Sequence, residues 1–238
     1  MKLTGNWLIL FVVAGTMILG SCFDPPTYSN IPGIEFNDLY FAKGTLTDTL
    51  SISIKFKDGD GDVGLAQGDT LSPYNNKFYP RLPDNTLITY KTKRSNPNYD
   101  TLPAYIKPYY CTNWEIRSIN KKIDTLYFRT NQNYYNIFVD FYIQNGQTLE
   151  YELFDLETQF AGSNCGLTYD GRLPVLSKDL SRKSALEGVV RYNMKSQAFL
   201  AIFGSKAFKL RITIQDRALH KSNTIETKPD NLAGWAKK

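Results

Sequence analysis

Alternation of apolar and polar positions first becomes regular at Leu50. Leu50, Ile52, Ile54 and Phe56 fall on one side, with Ser51, Ser53 and Lys55 on the other. A period of two predicts a half-buried antiparallel strand. The pattern returns at Ile137, Val139, Phe141 and Ile143, and again at Leu149, Tyr151 and Leu153. Asn145-Gly146 lies between these two runs, so a hairpin is expected there. A last strand should turn Phe208, Leu210, Ile212 and Ile214 inward and Lys209, Arg211, Thr213 and Gln215 outward. Shorter apolar runs at 189–194 and 199–203 are expected to pair nearby, and only 177–186 has a helical look.

Between these strands lie stretches without a period. From Gly64 to Asp124 the chain holds six prolines among many asparagines and tyrosines, which predicts a long irregular insertion. The fold class expected is therefore all-β: an immunoglobulin-like β-sandwich over residues 34–228, with the insertion near 64–124 and a C-terminal tail at 229–238. Composition agrees, since 16 tyrosines and 14 phenylalanines in 238 residues favour strands. No internal repeat emerges.

The N-terminus follows different rules. After Lys2 the chain is apolar from Trp7 to Leu19 and ends in Leu19-Gly20-Ser21-Cys22. Such a run is too short for a permanent span, which needs about 20 apolar residues, and has the layout of a secretion signal. Small residues before a cysteine resemble the bacterial lipobox. The expectation is a signal peptide over 1–21 and a lipidated Cys22 as the mature N-terminus, followed by a Pro-rich tether over 22–33. Two or three acyl chains, at roughly 0.8 kcal/mol per buried methylene, would anchor the chain to a membrane without spanning it. In the oxidising compartment this implies, Cys111 and Cys165 are candidates for a disulfide. A catalytic thiol is the weaker reading, because His220 is the single histidine.

Charge adds an exclusion. The formal net charge of +5 is spread among acids rather than clustered, which argues against nucleic acid as a partner.

The segment Lys55-Phe56-Lys57-Asp58-Gly59-Asp60-Gly61-Asp62-Val63-Gly64-Leu65 carries the most distinctive chemistry. Acids at alternate positions on a glycine-permitted turn suit a hard cation such as Ca²⁺. An EF-hand does not fit, because Val63 stands where that loop needs glycine and Asp69 where it prefers a bidentate glutamate. The segment reads first as a strand-ending turn with solvated charge, and second as a structural Ca²⁺ site. A later segment, Asp216-Arg217-Ala218-Leu219-His220-Lys221-Ser222-Asn223, follows the last strand. If it meets the acidic turn, Asp216 and Asn223 could complete coordination, or Arg217 could neutralise Asp58, Asp60 and Asp62. Ion pairing is the preferred of the two. The candidate metal set is thus Asp58, Asp60, Asp62 and Asp216, with no cofactor required for activity.

With the lipobox and the tether, these two segments resemble lipoproteins of the Bacteroidota that carry a lysine-flanked DGDGD-x-G turn and a late DR-x-L-x-x-SN segment. The likeness covers about a third of the chain. It implies an immunoglobulin-like outer-membrane lipoprotein and names no catalytic residue. Surface-exposed members of that phylum tend to carry several acids after the cysteine, and the single Asp24 leaves the periplasmic and cell-surface faces both open. Motifs for nucleophilic serine, zinc or nucleotide chemistry are missing from the sequence, so no enzyme is expected. Two partner classes follow. The first is an outer-membrane protein docked by the insertion, with this chain as a binding or scaffold subunit. The second is a glycan stacked on a platform of Tyr105, Tyr109, Tyr110 and Trp114, a reading that requires those rings to face solvent.

Overall fold

The computed structural model describes residues 26–106, 112–119, 121–159 and 167–236. The expectations for residues 1–21, Cys22, Tyr109, Tyr110, Cys111 and Cys165 lie outside these residues. The strands, in chain order, are β1 (Gly33–Ala42), β2 (Asp48–Asp58), β3 (Lys77–Phe78), β4 (Trp114–Ile119), β5 (Lys122–Tyr127), β6 (Arg129–Thr130), β7 (Ile137–Gln144), β8 (Tyr151–Leu153), β9 (Leu186–Ser196), β10 (Phe208–Ile214) and β11 (Ile225–Glu226). The chain is all-β with a few short helical turns. No helix among the described residues is long and apolar enough to cross a membrane.

Two antiparallel sheets build the main body. One has the order β1-β2-β9 and the other β11-β10-β7-β8. β2 is central in the first sheet, with Ile34 opposite Phe56 on one side and Val190 opposite Ile54 on the other. β10 pairs along its whole length with β7, from Ile137 opposite Ile214 to Ile143 opposite Phe208. The alternating residues expected to point inward do so: Leu50, Ile52, Ile54 and Phe56, with Phe208, Leu210, Ile212 and Ile214, join Ile137, Val139 and Phe141 in one hydrophobic cluster. Burial of this apolar surface, at about 25 cal/mol per Å², is the main stabilising term.

Several expectations change. Residues 199–203 form no strand but a helical turn at Phe199–Ile202, which places Phe199 and Phe203 four residues apart and both fully buried. The β7–β8 hairpin exists, but its turn runs from Asn145 to Glu150. Leu149 rather than Gly146 takes the positive φ, at 61°. Leu149 and Leu153 consequently face solvent. The helix expected over 177–186 does not form. Ser177 and Asp179 direct their side chains to nearby backbone N–H groups, which competes with helix hydrogen bonding, and Leu186 opens β9. The stretch read as a tail packs into the main body: Leu232 is buried and the Trp235 carbonyl accepts the Phe41 N–H.

The insertion is more ordered than its composition suggests. A capping box of Thr89 and Thr92 starts a helix at Tyr90–Ser95. β4 and β5 form a hairpin, β3 pairs with β6, and a second, smaller core gathers Ile88, Trp114 and Tyr127.

Candidate metal centre and neighbouring surfaces

Strand β2 ends at Asp58, paired with Leu186, and the chain then turns sharply. Gly61 has φ +68°, and a Cβ there would run into the Ser184 carbonyl, so the turn requires glycine. The carboxylate of Asp58 accepts the Asp62 N–H at 2.9 Å and closes the loop on itself. As a result, one carboxylate oxygen from each of Asp58, Asp60 and Asp62 lies within 4.8 Å of the others. Asp58 is 0% exposed and Asp60 7%; the Oδ1 atoms of all three acids are buried without a hydrogen-bond partner.

The late loop does arrive at this turn. Val63 and Asp216 form a β-bridge, which brings a fourth, fully buried carboxylate alongside. Asp216 is already held, however. Its Oδ1 accepts the His220 backbone N–H at 2.7 Å and its Oδ2 lies 2.8 Å from His220 Nδ1. That contact raises the His220 pKa, chiefly through the hydrogen bond to Asp216. Asp216 therefore adds negative charge beside the three acids, while its oxygens serve His220. It was expected as a ligand, and the geometry gives it a neighbouring role instead.

The expected ion pairing also falls elsewhere. Arg217 Nη1 bonds Asp69 Oδ2 at 2.6 Å, so the direct ion pair of the guanidinium is with Asp69 and not with Asp58, Asp60 or Asp62. Asn223 clamps the start of β1, accepting the Ile34 N–H at 2.8 Å and donating to the Ile34 carbonyl at 2.9 Å. The cation that does reach the cluster is Lys183, 3.1 Å from Asp60 Oδ2, with a side chain 79% exposed. Sequence reasoning missed Lys183. It is 123 residues from Asp60 and sits in a stretch with no local signal of the contact.

Electrostatics follow from this arrangement. Burial, reinforced by the negative charge of Asp60, pushes the Asp58 carboxyl up to about 6. Burial also raises Asp62, with Asp216 and Asp60 contributing, against the opposing pull of the Arg217 backbone N–H. Asp69 shows the reverse: its hydrogen bond to Arg217 holds it below the ordinary range.

Of the four platform residues only Tyr105 and Trp114 are described, and these two pack into a core. Trp114 is 1% exposed and its Nε1 donates to the Pro103 carbonyl at 3.0 Å. Tyr105 packs against it edge-on at 6.5 Å, and Tyr90 at 5.4 Å. Trp114 is thus the centre of the small core and offers no face to a sugar. The hairpin it begins behaves differently along its length: Leu126 and Tyr127 at the base are buried, whereas Ile116 and Ile123 nearer the tip are 64% and 78% exposed. Register places Ile116 opposite Thr125 and Ser118 opposite Ile123, so the two isoleucines share one face of the hairpin.

No known protein family matches the chain, and no curated protein or solved structure is significantly similar to it.

Proposed function

We propose that this chain is a lipid-anchored, non-enzymatic binding or scaffold subunit at the outer membrane. Cys22 carries the lipid, the two sheets form an immunoglobulin-like sandwich, and the insertion docks an outer-membrane protein. The observation that carries the docking reading is the β4–β5 hairpin. Its base is fixed by Trp114, Leu126 and Tyr127, and Ile116 and Ile123 stand together on its exposed end. Two large aliphatic side chains on one solvent-facing strand surface gain little for the isolated chain and suit a contact that removes them from water. A glycan reading loses its main support with the burial of Trp114.

The test is affinity purification of the tagged full chain from its own membranes in mild detergent, with co-purifying proteins identified by mass spectrometry. A stoichiometric outer-membrane protein should accompany the wild type and fall at least tenfold with the paired change Ile116→Ser and Ile123→Ser. Both positions are exposed, so the fold should persist. Recovery of the wild-type chain alone would count against docking, and retention of the partner by the double variant would move the contact away from this hairpin.

A further inference from the structure

The acidic turn poses a problem that hydrogen bonding inside the chain does not solve. Three carboxylates converge, each with a buried oxygen that no donor reaches, and two of the three side chains are more than nine-tenths buried. Asp216 adds a fourth negative charge from a separate segment. Against this stand one largely solvated lysine and His220, whose ring faces Asp216. Buried ionised carboxylates are costly unless a proton, a donor or a cation meets them. Side-chain donors were available nearby and went elsewhere: the Arg217 guanidinium to Asp69 and the Asn223 amide to Ile34. The three orphan oxygens therefore point to a ligand from outside the chain.

We propose that Asp58, Asp60 and Asp62 form a binding site for a hard divalent cation of the calcium class, with Asp216 supplying charge from behind. The donor set is all oxygen. No cysteine or histidine belongs to the cluster, which disfavours zinc and copper. Three charged carboxylates leave further coordination to backbone carbonyls and water, and Ca²⁺ accepts six to eight oxygens in variable geometry whereas Mg²⁺ demands a regular octahedron.

The site also lies where separate parts of the chain meet. The Gly59 N–H donates to the Ser29 carbonyl at 2.8 Å, so the tether leans on the turn. Lys57 lies 5.4 Å from the Tyr28 ring centroid, and a Cβ on Gly59 would clash with the Tyr28 carbonyl. The Ser184 N–H reaches the Asp60 carbonyl at 3.4 Å, ahead of β9. A cation held by the three acids fixes the tether, the end of β2, the approach to β9 and the loop after β10 in one place. Binding should therefore protect the tether as well as the turn.

The experiment uses the full chain purified in detergent and stripped with EDTA. Equilibrium dialysis against ⁴⁵Ca²⁺ should show about one ion per chain, with thermal unfolding followed on the same samples. A hundredfold excess of Ca²⁺ over its dissociation constant should raise the melting temperature by about 5 to 10 °C. Asp60→Asn should weaken binding at least tenfold. Asp62→Asn, at a less buried position, should do likewise and guards against loss of folding in the first variant. Asp69→Asn, which alters an acid paired with Arg217, should bind as the wild type does. Trypsin cleavage near Lys57 should slow with Ca²⁺ in the wild type and not in Asp62→Asn. Absence of bound ion in the folded wild type at millimolar Ca²⁺, or unchanged affinity in both Asp60→Asn and Asp62→Asn, would overturn the site. Displacement of Ca²⁺ by an equal concentration of Mg²⁺ would overturn the calcium assignment.

Discussion

The two hydrophobic cores differ in kind. In the main body Phe141 packs among Tyr169, Phe203 and Phe208 at ring separations of 4.7, 4.8 and 5.9 Å, inside a cluster fed by both sheets. In the insertion three buried residues, Ile88, Trp114 and Tyr127, are ringed by half-buried tyrosines and leucines. The first core is made of long-range strand pairs and the second of one hairpin, one helical turn and the loops between them. A large core lends cooperativity to every strand that enters it, whereas a small one can open by itself. The insertion is therefore expected to be the less stable unit, attached to a body that holds without it.

The largest test of that difference is Phe141→Ala. Removing a fully enclosed ring should cost about 3 to 5 kcal/mol and lower the single main unfolding transition measured in denaturant. Trp114→Ala should cost about as much locally but leave the midpoint of the main transition close to that of the wild type. The discriminating observable is amide exchange. The Tyr127 N–H, bonded to the Ile88 carbonyl, should exchange at least tenfold faster while amides of β10 keep their protection. Equal acceleration in β10 would show that the two cores unfold as one.

A smaller effect is expected at the joint between the units. Asn131 is buried and donates to the carbonyls of Pro73 and Asn75 at 2.7 and 2.6 Å, while its Oδ1 accepts the Asn133 N–H at 3.1 Å. Asn131→Ala leaves two carbonyls without their donor, at about 1 to 3 kcal/mol. If the insertion is held through this joint, exchange should rise in β3 and β6 before it rises in β7. A uniform rise would argue against a distinct joint.

What the sequence made legible follows the same division. β2, β7 and β10 could be read directly because each buries one face in an antiparallel sheet, and a period of two survives only there. Even so, Ser51 and Ser53 are buried on the opposite face, since Asn193 and Asn37 reach across and bond their hydroxyls. The helical turn of Phe199 and Phe203 is hard to read because a five-residue apolar run carries no decisive period, although their spacing of four is a helical clue. The β4–β5 hairpin was hidden by prolines and tyrosines around it, and its twisted base and tip obey different burial rules. At the acidic turn, alternation of Asp and Gly announced the convergence of Asp58, Asp60 and Asp62. The pairing of Arg217 with Asp69 spans 148 positions and has no local signature.

Asp170 offers the finest test, because it is a half-buried acid of the main body that was given donors. Its Oδ1 accepts the Val139 N–H at 2.9 Å, yet burial still raises its pKa, with Asp140 contributing in the same direction. A carboxyl raised in the folded state binds its proton more tightly there than in the unfolded chain, whose aspartates titrate near about 3.9. Stability is therefore greatest while Asp170 is protonated in both states, and declines as pH rises from about 4 through the folded value. Asp170→Asn keeps an oxygen for Val139 and removes the charge. The variant should gain on the wild type as pH rises from about 4 through the folded value, when both are compared in denaturant. A gap that stays flat across this range, or narrows, would mean that the Val139 N–H and the Thr168 side chain suffice to hold a half-buried carboxylate in this body. The Oδ1 atoms of Asp58, Asp60 and Asp62 would then stand out further, as buried carboxylate oxygens that no donor reaches.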